Sequence, residues 1–202
     1  MIILTLGITV YPEYSLAGNT GLFTYHIGQE SIVSIHGTTN VNSFKCVSDG
    51  NIQGGYLVTD HFPGEQLILF SDAGLDLEIR SFDCRNRMMN KDFRQALGGE
   101  EYPFIKISLL ETRIEKGVGG EEKRLIATVQ VRIKEESVKK EVAVELSKQG
   151  NMNFFAEGGA HLRMSDFGIE PPSPALGIIR VDDEIEVRFR LSVEANMITG
   201  SF

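Results

Sequence analysis

The residues of this 202-residue chain whose types invite a chemical reading are four histidines (His26, His36, His61, His161), two cysteines (Cys46, Cys84) and the triplet Asp166-Phe167-Gly168. None is spaced for catalysis or metal binding. The histidines form no H-x-x-x-H or related pair, and a closed zinc site wants four ligands where the cysteines supply no C-x-x-C, so no metal is expected. The Asp-Phe-Gly triplet also occurs in kinases, which need a glycine-rich loop, a strand lysine and a catalytic loop in order. All three are absent here. The triplet is instead expected to be structural: Phe167 plugs an interior, Gly168 permits a tight turn, and Asp166 hydrogen-bonds loop amides. No Ser-His-Asp order, nucleophile elbow or isolated carboxylate pair stands out, and neither catalytic residues nor a cofactor are expected.

Composition excludes other classes. Twenty Lys+Arg against 28 Asp+Glu give a formal charge of −8, with no basic run interleaved with aromatics, so nucleic acid is not an expected partner. No stretch reaches the roughly 20 consecutive apolar residues of a membrane-spanning helix. Residues 1–18 are ambiguous. Ile2 to Tyr11 is apolar, and Ser15-Leu16-Ala17 precedes Gly18 as in a cleavage site, yet the first basic residue is Lys45. A truncated export signal and a loose first segment both fit. In an exported protein Cys46 and Cys84 would form one disulfide, and in a cytosolic one they would be buried thiols.

The elements that must position any site are strands. Ile185, Val187, Phe189, Leu191 and Val193 alternate without a break with Glu184, Glu186, Arg188, Arg190 and Ser192. Leu125 to Ile133 repeats the pattern. After a turn at Lys134 to Ser137, Val138, Val142, Val144 and Leu146 share a face, and Lys140 is read as snorkelling near the turn. Further strands are expected at Ser31 to His36, Phe44 to Val47, Gly55 to Thr59, Leu67 to Phe70, Leu75 to Ile79, Phe104 to Leu110 and Asn153 to Ala160. That makes about nine or ten. Arg85 to Leu97 reads as the one helix, capped by Asn86 or Asn90 and stopped by Gly98-Gly99. A long antiparallel meander with one helical crossover is best satisfied by a closed all-β barrel, here one domain over residues 19–202.

Several segments together resemble the YceI-like family. They are Ser31 to Phe44 with its Gly37-Thr38-Thr39-Asn40 turn, and Asn86, Met88, Met89, Asn90, Phe93, Ala96 and Leu97 ahead of Tyr102-Pro103-Phe104-Ile105-Lys106-Ile107. The third is Asp166-Phe167-Gly168-Ile169-Glu170-Pro171-Pro172 followed by Gly177 to Ile185. Two departures stand out: Phe44 where many relatives carry Trp, and Glu135-Glu136-Ser137 in place of a polar glycine hairpin. The resemblance implies a lipocalin-like antiparallel barrel with one short helix, whose lumen holds a polyisoprenoid, quinone-like or fatty amphiphile, in a periplasmic or secreted protein. Phe44, Leu77, Ile79, Ile105, Ile107, Leu109, Val129, Val131, Val142, Val144, Phe155, Val187, Phe189 and Leu191 would line that lumen, with Phe167 as plug and Met88, Met89 and Phe93 as an adaptable lid. His161 and Arg163 would meet the ligand's head group. The same apolar residues also suit a close-packed core with no ligand, and a homodimer is left open.

Overall fold

The computed structural model describes residues 19–48, 52, 54–62, 67–115, 124–149, 153–173 and 176–198. Residues 1–18, with the export-signal expectation, lie outside them. Twelve strands are described: β1 (Asn19–Ile27), β2 (Ile32–Thr39), β3 (Ser43–Ser48), β4 (Gly55–Phe62), β5 (Leu67–Ser71), β6 (Gly74–Glu78), β7 (Phe82–Asp83), β8 (Phe104–Glu115), β9 (Arg124–Ile133), β10 (Glu136–Lys148), β11 (Asn153–Arg163) and β12 (Val181–Met197). One helix, α1 (Arg87–Ala96), lies between β7 and β8.

All pairings are antiparallel; they close one ring through β1 and β12, and a second circuit that shares strands β8 to β12 is completed by the chain between β6 and β7. The upper half of β12 pairs with β1, which continues through β4 and β5 to the upper half of β8. The lower half of β12 pairs with β2, which continues to β3 and then β7. A short 3-10 turn, Ile79–Ser81, joins β7 to β6, and β6 pairs with the lower half of β8. The end at β1, β4 and β5 is therefore a ring of eight strands, and the other end reaches the same count when β6 and β7, consecutive along the chain, are taken as one bent strand. Long β8 and β12 make this possible, because each presents its two halves to different neighbours. A register shift between Leu109 and Glu111 bends β8 where it changes partner, as a bulge does.

The barrel is filled at one end. Leu77, Ile79, Phe82, Ile105, Val131 and Phe167 are buried in one apolar core at the β2/β3/β6/β7 end. Helix α1 caps this end with Met89, Phe93 and Ala96 against the core, and the Phe93 ring lies 5.4 Å from that of Phe82. The Asn86 side chain accepts hydrogen bonds from the N–H groups of Met88 (2.9 Å) and Met89 (3.2 Å), which would otherwise be orphaned at the helix start. At the other terminus Gly98 takes φ 63, Gly98 N–H reaches Gln95 C=O and Gly99 N–H reaches Arg94 C=O. This pair of bonds is a Schellman closure. Cys46 and Cys84, both buried, are joined by a disulfide between β3 and the residue after β7.

Three inner-face pairs set an aromatic ring against a glycine directly opposite: Tyr25 with Gly55, Phe44 with Gly37, and Phe189 with Gly158. A Cβ on Gly37 would lie 2.3 Å from the Phe44 ring, and one on Gly158 would lie 2.8 Å from Phe189. The rings thus occupy the space that a side chain on the neighbouring strand would need, a device that lets a sheet curl tightly.

The sequence-derived strand order stands, with differences in extent. β1 and β7 were not anticipated, β8 runs on to Glu115, and the β9–β10 turn shrinks to Lys134 and Glu135. Lys134 adopts φ 55, so the tight reversal is made without glycine.

Candidate functional site

The pairing registers fix which side chains face inward, because directly opposed residues share a face. On β12 these are Ile185, Val187, Phe189, Leu191 and Val193, matched on β11 by Leu162, Ala160, Gly158, Ala156 and Phe154. On β10 the inner row is Val138, Lys140, Val142, Val144 and Leu146, and on β9 it is Leu125, Ala127, Val129, Val131 and Ile133. Accessibility along these rows is uneven. Leu162, Val131 and Ile133 at the α1 end and Ala127, Val142 and Leu191 at mid-height are buried, whereas Ile185, Val187, Phe189, Val129, Val138 and Lys140 are half-buried, as are Phe23, Tyr25, Leu57 and Phe70 at the β1/β4/β5 end with Val144 and Phe154 opposite. At the rim Ile114, Leu146 and Met197 are 41%, 54% and 58% exposed. The apolar wall is therefore open at the end away from α1.

The lumen residues expected from the sequence divide accordingly. Leu77, Ile79, Ile105, Val131 and Phe167 sit within the packed core, and Leu191 is buried at its edge. Val142 is also buried, opposite Ala127. Phe44, Ile107, Leu109, Val129, Val144, Val187 and Phe189 lie on the inner wall and remain half-buried. Met89 and Phe93 pack on the filled end, while Met88 is 65% exposed and lines no part of the interior.

Phe155 is a correction. It pairs with Ser192 and faces outward, where the Arg190 guanidinium stacks 4.5 Å from its ring centre. The inward aromatic is its neighbour Phe154, opposite Val193. Counting alternation from Asn153 cannot separate two consecutive phenylalanines; the pairing register does.

The proposed head-group residues also face outward. His161 pairs with Glu186 and its Nδ1 lies 3.0 Å from Glu184 Oε1. It borders a groove of about 540 Å³ lined by the outward His36, Lys45, Asp182 and Glu186 and also by Phe44 and Ile185 of the inner face. Arg163 opposes Glu184 on the same face. Neither side chain points into the barrel. In this groove burial, then Lys45 and Arg188, hold the His36 imidazole below its ordinary pKa, and its Nε2 lies 2.9 Å from Ser34 Oγ. Among the described residues no three His, Cys, Asp or Glu side chains gather as metal ligands.

In the Asp-Phe-Gly loop, Phe167 is buried and Gly168 takes φ 62, as expected. Asp166 is exposed, and the acid that holds the loop is Asp183. It accepts from Ser165 N–H at 2.8 Å and Ser165 Oγ–H at 2.6 Å. The Asn40 amide fastens the loop that follows, donating to Ile178 C=O (3.0 Å) and accepting from Arg180 N–H (2.8 Å).

Lys140 keeps the inward parity of Val138 and Val142: it opposes Val129, which in turn opposes Leu109. It is half-buried there.

No protein-family model matches the chain, and no curated protein matches it. Solved structures do. BcnA of Burkholderia cenocepacia superposes with a TM-score of 0.58 at 17% identity, covering 81% of this chain and 96% of that one. A polyisoprenoid binding domain from Saccharophagus degradans, implicated in plant cell wall breakdown, gives 0.60 at 10% identity, covering 86% and 98%. At such identities the likeness is one of fold. The barrel, its single capping helix and these two neighbours agree with the resemblance drawn from the sequence, and the chain carries the YceI-like fold.

Proposed function

We propose that this protein is a non-catalytic carrier that holds the apolar chain of an isoprenoid, quinone-like or fatty amphiphile against the inner wall of its open half. The observation that carries the reading is the inner wall itself: apolar rows that stay half-buried at Val129, Val144, Val187 and Phe189 and end in an exposed apolar rim at Ile114, Leu146 and Met197. Burial of a hydrocarbon chain contributes about 0.8 kcal/mol per CH₂, so a dry, shaped wall suffices for binding without specific polar contacts. The polyisoprenoid-binding character of one structural neighbour supports the same class of ligand. The disulfide fits a periplasmic or secreted setting, where thiols are oxidised.

The test is lipid extraction and mass analysis of protein purified without detergent, with native mass spectrometry of the intact chain. Stoichiometric co-purification or uptake of an apolar molecule is expected. A protein that stays empty when offered such molecules refutes the carrier reading. The packed lower half favours the rival, a structural or interaction module with a filled interior, and that outcome would select it.

A further inference from the structure

Between the packed end and the mouth, the inner rows of the described strands contain no carboxylate. They contain two charges, Lys140 and Lys148, both on β10. The two acids nearest the interior lie at the closed end. Glu136, at the hairpin, lies against Gly168, and Asp183 is held by Ser165. Lys148 is exposed at the strand end, whereas Lys140 is half-buried with Val138 and Val142 as its neighbours along the row and Val129 opposite. No hydrogen bond or ion pair joins the Lys140 side chain to another described residue. An ammonium placed on an apolar wall without a counter-charge loses hydration and gains nothing in exchange.

From this juxtaposition we infer that Lys140 is the receptor for an oxyanion on the bound amphiphile, so that the ligand is an acidic lipid bearing a carboxylate or phosphate. This rests on the carrier reading above and narrows it. The anion sits at Lys140, between the packed end and the buried Val142–Ala127 pair. The apolar chain runs up the β10 row to Leu146, a span of about 20 Å at strand rise, and takes the place of the groups that cover Val142. A charge-assisted hydrogen bond in a partly desolvated site favours the anion over its neutral counterpart by roughly 10- to 100-fold.

The test uses the full chain, freed of bound lipid, and two matched pairs of probes: dodecanoate with dodecanol, and farnesyl phosphate with farnesol. The pairs separate a carboxylate from a phosphate as the source of the charge. Affinities are compared for the wild type, Lys140→Met and Lys139→Met, the last removing the same charge from the adjacent outward position. At least one anion is expected to bind the wild type roughly 10- to 100-fold tighter than its alcohol. Lys140→Met should abolish that preference while keeping the alcohol, and Lys139→Met should leave it intact. Should Lys140→Met not fold, Lys140→Gln carries the same comparison. Alcohols binding the wild type as well as anions, a preference that survives in Lys140→Met, or one lost equally in Lys139→Met would each overturn the assignment and leave the carrier intact. Failure of all four probes to bind the folded wild type removes the carrier reading itself, and Lys140's role with it.

Discussion

Reduction of the Cys46–Cys84 bond should cost this protein a large part of its stability, and the size can be worked from the connectivity. The cysteines are separated by 38 positions, spanning β4, β5, β6 and β7. Releasing a loop of that length returns about 13 cal/mol/K to the unfolded chain, roughly 3.9 kcal/mol at 25 °C. For a chain of this size about 2–4 °C of melting temperature accompanies each kcal/mol, so oxidised and reduced protein should melt roughly 8–15 °C apart. Cys46→Ala/Cys84→Ala should lose somewhat more, because both sulfurs are buried and truncation leaves unfilled space. The assay is differential scanning calorimetry on oxidised protein, on protein unfolded in reductant and refolded with reductant present, and on the double variant. Equal melting temperatures for oxidised and reduced protein would refute the reasoning, since the loop would then contribute nothing to the unfolded state.

Gly37→Ala should destabilise by about 1–3 kcal/mol in chemical denaturation, because the new methyl meets the Phe44 ring. Adding Phe44→Ala should recover part of that loss, giving a non-additive cycle. Phe167→Ala should cost about 3–5 kcal/mol, given that the ring is buried in the closed-end core. Asp183 has its carboxyl held below the usual carboxylate range, first by the Ser165 hydroxyl and then by the Ser165 backbone N–H. The folded pKa lies below the unfolded one, so the stabilisation is present above about pH 3.9 and is lost as pH falls through the folded value. Asp183→Asn should therefore flatten the acid limb of the stability–pH curve, and an unchanged limb would contradict the assignment.

Much of the architecture was legible because period-two alternation is a direct record of two unlike faces, as in Ile185 to Val193 and Leu125 to Ile133. α1 was legible because its cap and stop are local: Asn86 at one end and Gly98-Gly99 at the other. β1 escaped because Thr20 to Ile27 mixes Gly21, Thr24 and His26 among its apolar residues, and its place is fixed only by distant partners on β4 and β12. The site was less readable than the fold. Leu77 and Val144 both alternate as inward apolar residues, yet one is buried in the core and the other half-buried, a difference set by what packs across the barrel and not by alternation. Phe155 reads wrongly for a related reason: a run of two phenylalanines is a local feature, and the face each occupies is decided by its partner on another strand.

The placement of β12 also sets an order in time. It is the last of the twelve strands to leave the ribosome, and it is the strand on which both circuits depend, through β1 above and β2 below. Until residues 181–197 have emerged, β1 and β2 have no strand to join them to β11, and neither end can close. Folding must then be completed after synthesis of the barrel, with contacts that join the earliest strands to the latest and a correspondingly slow search. A chain interrupted anywhere before β12 would leave open sheet edges at both ends, and its fate would be aggregation or degradation instead of a smaller working barrel.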